Sequence, residues 1–514
     1  MDIIENGGQA ANKTQYKYTQ SFLKNNFNFI EITQKINNAE MEQLTTTPDI
    51  KSNSDVLKIL FNDVQRVNFK AIIYPNATED KNPTDRQKYV AIIDELLNLA
   101  NKRQWGICKN GAFVYLFNGA FWCELDKEIL QDFLGKCAAR MGIIKHNAKQ
   151  YIVKEHLFKQ FLSTGFQAMP ENNEKTLINL KNGTYEIDKD GKGRLRDVNK
   201  DDFIKYQLPF EYNPDAECPK FQEYLDVSLP DKEAQNVLAE FIGYVFARNL
   251  KLEKGLILLG SGANGKSVFF EIIFALLGSQ NVSSYSIDTL CEHNGYYRAM
   301  IANKLVNYSS EIGKRFEVDK YKKLCSGEPI EARLPYGHPF LISNYARLIF
   351  NANLLPKEIE QTDAYFRRFL IIPFTVTIAP EKQDIELSKK IIDNELSGVF
   401  NWVLRGLDRI IQQKGFSKCK AAESELEQYR LENDSIAAFI DENNYQPSVT
   451  ENMKLQVLYN DYYFFCHENN YRPCGRNVFS ECLKKQNFDI KKVRGGRDIY
   501  IEVKTETTDN ETSS

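Results

Sequence analysis

No stretch of this chain approaches the ~18 to 20 consecutive apolar residues that cross a bilayer, so no membrane helix is expected. The first residues, MDIIENGGQAANKTQ, hold neither a basic patch nor an apolar stretch, and no secretory leader is expected. The cysteines, 10 in all, form no Cys-x-x-Cys pair, which points to reduced thiols. Cys466, His467, Cys474 and Cys482 lie close in sequence, but their spacing fits no standard zinc pattern. Net charge is nearly absent, −3 over 514 residues. The chain is therefore no polycation, and any nucleic-acid contact must come from local basic patches. Internal repeats are lacking. Residues 21–150 lack paired carboxylates with a partnering histidine, the signature of primer synthesis.

Hydrophobic residues make up 42% and charged residues 26%, enough to bury several cores. The length suits roughly three to four domains. Residues 1–20 are polar and expected to be disordered. Residues 21–150 read as an N-terminal α+β region of unassigned role, with a hairpin of Ala112–Leu116 and Gly119–Glu124, then a helix over 127–140. Residues 151–250 read as a helical/β domain. It holds strands Leu177–Leu180 and Thr184–Ile187 around Asn182-Gly183, then helices over 219–228 and 232–249. Residues 251–413 alternate strand, loop and helix as a nucleotide-binding α/β core does. A charged linker helix over 414–433, a compact unit over 434–503 and a polar tail over 504–514 complete the chain.

Chemistry concentrates after the apolar strand Gly255–Leu259. It runs into Gly260-Ser261-Gly262-Ala263-Asn264-Gly265-Lys266-Ser267, and a helix follows. This strand, GxxxxGKS and helix context is what a phosphate-binding loop requires. Glycines let successive N–H groups turn toward phosphate oxygens, and the helix N-terminus adds its positive end. Lys266 is expected to bridge the β- and γ-phosphates of ATP, and Ser267 to ligate Mg²⁺. Downstream, the strand candidate Lys304–Tyr308 is followed by Glu311, an acid able to hold the Mg²⁺ shell and orient water. The strand Arg347–Phe350 ends in Asn351-Ala352-Asn353; either amide can reach a γ-phosphate or merely close an Asx turn. Arg367 and Arg368 precede the strand Leu370–Phe374. Such arginines are surface cations or, in a ring ATPase, a finger into the neighbour's site.

In order, GSGANGKS, LVNYSSE, YKKLCSGEPIEAR, RLIFNANLLP and DAYFRRFLIIPF resemble the superfamily 3 helicases, above all the phage, plasmid and poxvirus-type primase-helicases. The resemblance covers about residues 150–380. It implies an α/β fold with an AAA+ P-loop ATPase core, a hexameric ring of identical chains, and ATP-driven unwinding of single-stranded or forked DNA in replication. It implies catalytic roles for Lys266, Glu311, Asn353 and Arg368, with Arg367 as the second choice of finger, and Ser267 and Glu311 at the Mg²⁺. Lys322–Tyr336 resembles the element that sets a hairpin in the channel, so Lys322, Lys323, Arg333 and His338 become candidates for the DNA backbone. Glu311 stands alone where many members carry two acids. The expected location is the cytoplasm, that of a bacterial host if a phage or plasmid encodes the chain.

The C-terminal unit reads as helix, helix, helix and then a hairpin about Gly495-Gly496, the order of a winged helix. Arg476, Lys484 and Lys485 would lie on or beside its recognition helix, and Arg494 and Arg497 at its wing, all facing DNA. Two alternatives remain: a bifunctional primase-helicase with a divergent N-terminal primase, and an ATP-dependent initiator or defence assembly that binds DNA without unwinding it.

Overall fold

The computed structural model describes residues 52–76, 81–167, 175–313, 317–335, 337–356, 362–469 and 471–504. The disorder expected over 1–20, and over 504–514 beyond Lys504, lies outside the described residues, as does Tyr336.

The N-terminal helices are α1 (Asn53–Asp63), α2 (Phe69–Ile73) and α3 (Asp85–Lys102). α3 opens on a capping box: Gln87 N–H donates to the Thr84 hydroxyl, and Thr84 N–H returns to Gln87 Oε1 at 2.9 Å. β1 (Gly106–Asn110), β2 (Phe113–Phe117) and β3 (Trp122–Glu124) form an antiparallel meander. The sequence reading found only its second hairpin. β1 is buried at nearly every position, so it shows no alternation to recognise. α4 (Lys127–Met141), α5 (Lys145–Ala148) and α6 (Tyr151–Thr164) pack on α1 and α3 around Leu60, Ile93, Leu96, Leu130, Leu134 and Phe161.

A second antiparallel sheet follows, β4 (Thr176–Leu180), β5 (Gly183–Ile187) and β6 (Gly193–Arg196), then α7 (Pro219–Ser228) and α8 (Lys232–Tyr244). α8 stops five residues short of the expected 249. Beyond it the chain turns, with Phe246 N–H on Gly243 O and the Arg248 guanidinium on the carbonyls of Tyr345, Lys304 and Leu305. Those tertiary bonds override helix propensity.

The central sheet is built from β7 (Gly255–Leu259), α9 (Lys266–Leu277), β8 (Val282–Ser283), α10 (Ile287–Cys291), α11 (Tyr296–Met300), β9 (Val306–Ser309), α12 (Val318–Ser326), β10 (Ile330–Arg333), β11 (Pro339–Ile342), β12 (Arg347–Ala352), α13 (Asp363–Phe366) and β13 (Phe369–Pro373). Its strand order is β13-β7-β12-β9-β8, with every pair parallel. β10 and β11 form a separate antiparallel hairpin. Alternation sends Leu256, Leu258 and Ile349 into one core with Phe269 and Ile273, and Ile257, Leu348 and Phe350 into another with Tyr321 and Tyr365. Burial on both faces explains why β7 reads as an unbroken apolar run.

α14 (Leu387–Gln413) lies along α8, and α15 (Lys420–Glu432) follows. A Cβ at Gly406 would sit 2.3 Å from the Ala239 carbonyl carbon, so glycine sets how closely α14 approaches α8. The final unit comprises α16 (Ser435–Glu442), β14 (Tyr445–Lys454), α17 (Leu455–Glu468), α18 (Arg476–Lys485), β15 (Ile490–Val493) and β16 (Gly496–Val503), around its own core of Leu458, Tyr462 and Phe479. The strand β14, between the first two helices, was not expected. It is a mostly exposed edge strand with Pro447 and a register shift before Asn452, so it carries no period-two signal.

Candidate nucleotide site

The run Gly260–Ser267 connects β7 to α9 at the carboxyl edge of the sheet. Gly262, Ala263 and Gly265 have φ of 118°, 50° and 85°, which curls the backbone tightly before the helix. A Cβ at Gly260 would lie 2.1 Å from Asn264 Nδ2 and 2.6 Å from Phe374 O, so the loop can close only on glycine there. Asn264 Nδ2 donates to Phe374 O at 3.0 Å, Ile378 N–H to Ala263 O at 2.8 Å, and the Tyr224 hydroxyl to Gly265 O at 2.9 Å. No side chain caps the N-terminus of α9, which leaves its first N–H groups without a side-chain acceptor.

Lys266 is 6% exposed. Its Nζ donates to Gly260 O at 2.7 Å and Asn264 Oδ1 at 2.8 Å, and among the described residues no carboxylate pairs with it. Burial holds its ammonium below the ordinary lysine pKa. Ser261, Ala263 and Ser267 are exposed beside it. A buried cation without an anion, next to open helix N–H groups, is a site shaped for negative charge.

β12 lies between β7 and β9 and brings the asparagine strand beside the loop: Gly260 N–H donates to Ala352 O at 3.0 Å. Asn351 is buried inside the strand and takes the Tyr308 hydroxyl on Oδ1 at 3.0 Å. Asn353 is exposed one residue past the strand. Glu311 is exposed two residues beyond β9, with its N–H on Ser309 Oγ at 3.4 Å. The sequence reading missed Asp288 on α10. Its carboxylate lies against Gly313, where a Cβ would come within 1.5 Å of Oδ1. Burial first, then the charges of Glu292 and Glu311, push the Asp288 carboxyl up. No local motif could reveal that neighbour, since it arrives from another element.

The two arginines differ sharply in surroundings. The Arg368 side chain is 9% exposed, and each of its three guanidinium nitrogens donates within the chain: Nε on Lys322 O at 3.3 Å, Nη2 on Ser326 Oγ at 3.0 Å, and Nη1 on Ala364 O. The Arg367 side chain is 61% exposed and lies 3.5 Å from Glu253 Oε2. The sequence preference, Arg368 before Arg367, is thus not the order of exposure. In the register of the sheet, Phe369 faces Gly255, the amino end of β7, while the glycine loop leaves its carboxyl end. Five residues of strand separate the two, roughly 16 Å. Neither arginine is positioned to serve its own loop.

Of the channel candidates, Arg333 and His338 are exposed at the turn of the β10–β11 hairpin, where Arg333 Nε donates to Gly337 O at 2.9 Å. Lys322 and Lys323 belong instead to α12. Lys322 is largely covered and 3.4 Å from Asp319, whereas Lys323 is exposed. In the last unit Arg476, Lys484, Lys485, Arg494 and Arg497 are all exposed: three on α18, two flanking the β15–β16 turn.

By fold the chain is an α/β protein with a parallel five-stranded sheet and a glycine-rich loop at its carboxyl edge. Residues 258–368 match a model described as a family of unknown function (DUF5906), and residues 94–230 one described as D5 N terminal like. The chain is similar to "Putative helicase L207/L206" of Acanthamoeba polyphaga mimivirus, 24% identical over 284 residues, or 52% of this chain and 28% of that protein. It thus spans less than a third of that relative's length. Among solved structures, the apo NrS-1 C terminal region (305-718) aligns over 82% of this chain and 100% of that one, at 13% identity and a TM-score of 0.46. Its A form aligns over 81% and 100%, at 12% identity and 0.44. Among the described residues no helix is long and apolar enough to cross a membrane.

Proposed function

We propose that this chain is an ATP-dependent DNA helicase of the superfamily 3 kind, working as a hexameric ring in the replication of a phage, plasmid, virus or integrated element. The observation that carries the reading is Lys266, a buried ammonium without a carboxylate, beside the uncapped N-terminus of α9 in a GxxxxGKS loop. Similarity to a viral protein named as a helicase supports the same reading.

In this mechanism the Ser261–Gly265 N–H groups wrap the phosphates, the Gly260 N–H being held by Ala352 O. Lys266 exchanges Gly260 O and Asn264 Oδ1 for the β- and γ-phosphate oxygens. Ser267 and Glu311 would hold Mg²⁺, which supplies charge neutralisation between the phosphates. Glu311 orients water, and Asn353 fixes the γ-phosphate end from the neighbouring strand. Arg367, exposed and remote from its own loop, is the arginine offered to an adjoining copy. The last unit, ordered helix, strand, helix, helix, strand, strand, is read as a winged helix with α18 toward DNA.

The test is nucleotide turnover and strand displacement on a forked DNA. Lys266→Ala is expected to abolish both while the thermal melting curve stays that of a folded protein. Turnover at the parent rate in this variant sinks the site. Turnover without displacement in the parent chain makes it a switch, not a motor.

A further inference from the structure

A second cationic site lies away from the glycine loop. A cavity of about 530 Å³ opens between β4–β6, the turn after α8, the end of α12 and the start of β12. Five cationic side chains line it, Lys175, Arg196, Arg248, Lys251 and Arg347, against three acids, Glu186, Asp201 and Asp202. The acids do not neutralise the far wall. Glu186 is taken by Lys175 at 3.0 Å, Arg194 at 3.1 Å and Arg196 at 2.7 Å, and Asp202 by Arg196 at 2.9 Å. Among the described residues, no carboxylate pairs with Arg248, Lys251 or Arg347.

Arg248 is held by carbonyls, and Arg347 by a carbonyl and an aromatic ring. Arg248 donates to Tyr345 O at 2.6 Å and Lys304 O at 2.9 Å; Arg347 donates to Leu250 O at 3.0 Å and lies 3.9 Å over the Tyr244 ring. Arg248 is exposed where it lines the cavity and otherwise enclosed by protein. That enclosure, then repulsion from Arg347, brings its guanidinium down to about 10. Two like charges side by side in a concave wall are unfavourable unless an anion joins them. The surplus of two positive charges matches a phosphate monoester dianion or two successive phosphodiesters of a strand. Among the described lining residues the one ring is that of Tyr345, which is buried, with its hydroxyl tied to Lys323 O and Glu328 O.

We propose that this cavity binds a phosphate group, held by Arg248, Lys251 and Arg347 and carried either by a single nucleic-acid strand or by a small phosphorylated molecule. The site is connected to the rest of the core. Ser326 at its edge accepts from Arg368, and β12 runs from Arg347 to the asparagines beside the glycine loop.

The glycine loop also attracts phosphate, so the test starts from full-length Lys266→Ala protein, titrated calorimetrically with inorganic phosphate. One site is expected to remain. Adding Lys251→Glu or Arg248→Gln should weaken it roughly tenfold or more. Lys251 is exposed and holds no element in place, so its variant keeps the result readable if Arg248→Gln unfolds, as thermal melting reports. Phosphate binding that vanishes with Lys266→Ala alone, or that both added substitutions leave unchanged, overturns the proposal. With the site present, displacement of phosphate by oligothymidylate assigns it to a strand, and failure of displacement assigns it to a small molecule.

Discussion

Single residues divide into those whose role is local and those whose role depends on what packs beside them. Lys266 belongs to the first kind, because its loop, strand and helix are consecutive in sequence. Arg367 and Arg368 belong to the second. They are adjacent in the chain, yet one is locked beneath α12 and the other is exposed, touching Glu253. Arg368→Ala is expected to lower stability by about 2 kcal/mol, since it strips donors from Ser326 and two carbonyls; a denaturant midpoint measures this. Arg367→Ala should leave that midpoint nearly unchanged but, under the proposed ring mechanism, reduce ATP turnover by roughly a thousandfold. Mixing it with Lys266→Ala chains should recover part of the turnover, because each chain supplies what the other lacks. A normal midpoint with dead turnover in Arg368→Ala would instead return the finger to Arg368. Asn351 and Asn353 show the same limit. Their strand was legible, but only the Tyr308 hydroxyl reveals that Asn351 is already engaged.

At the scale of elements, β7, β12 and β13 were legible because buried parallel strands are apolar runs flanked by turn residues, and α9 because it follows the glycine loop directly. β1 and β14 were not, the first because Gly106, Lys109 and Asn110 leave it no apolar run and the second for exposure at an edge. Packing between elements leaves weaker marks still. Gly406→Ala would drive a methyl into the Ala239 backbone and should cost about 1–3 kcal/mol in thermal or urea unfolding. In the β4–β6 sheet, the Arg196 hydrogen bond leads Lys175 and Arg194 in holding the Glu186 carboxyl at about 2, below its ordinary 4.5. The unfolded chain therefore binds the extra proton first as acid is added. The stability from Glu186 is fully present above about 4.5 and fades as pH falls toward 2. Urea midpoints of parent and Glu186→Gln proteins should differ at pH 6 and converge near pH 2; a gap that does not narrow refutes the assignment.

Across the whole molecule, a net charge of −3 hides strong local asymmetry. Exposed cations gather at α18 and the β15–β16 turn, and a second group lines the cavity at Arg248 and Arg347. Replacing Arg494 and Arg497 together with alanine should weaken DNA binding alike for all sequences. The slope of log affinity against log salt should fall by about 1 per lost phosphate contact, measured by fluorescence anisotropy. An unchanged slope would take the β15–β16 turn off the DNA.

By itself the sequence determined the loop Gly260–Ser267, the strands that flank it and the acid, asparagine and arginine motifs that follow in order. Each depends on residues near one another along the chain. The tertiary structure alone decided which arginine is exposed, which asparagine is already bonded, that Asp288 sits beside Gly313, and that Arg248 and Arg347 share a wall. Those facts come from residues tens of positions apart brought together by packing, and no local pattern encodes a partner that arrives from elsewhere in the fold.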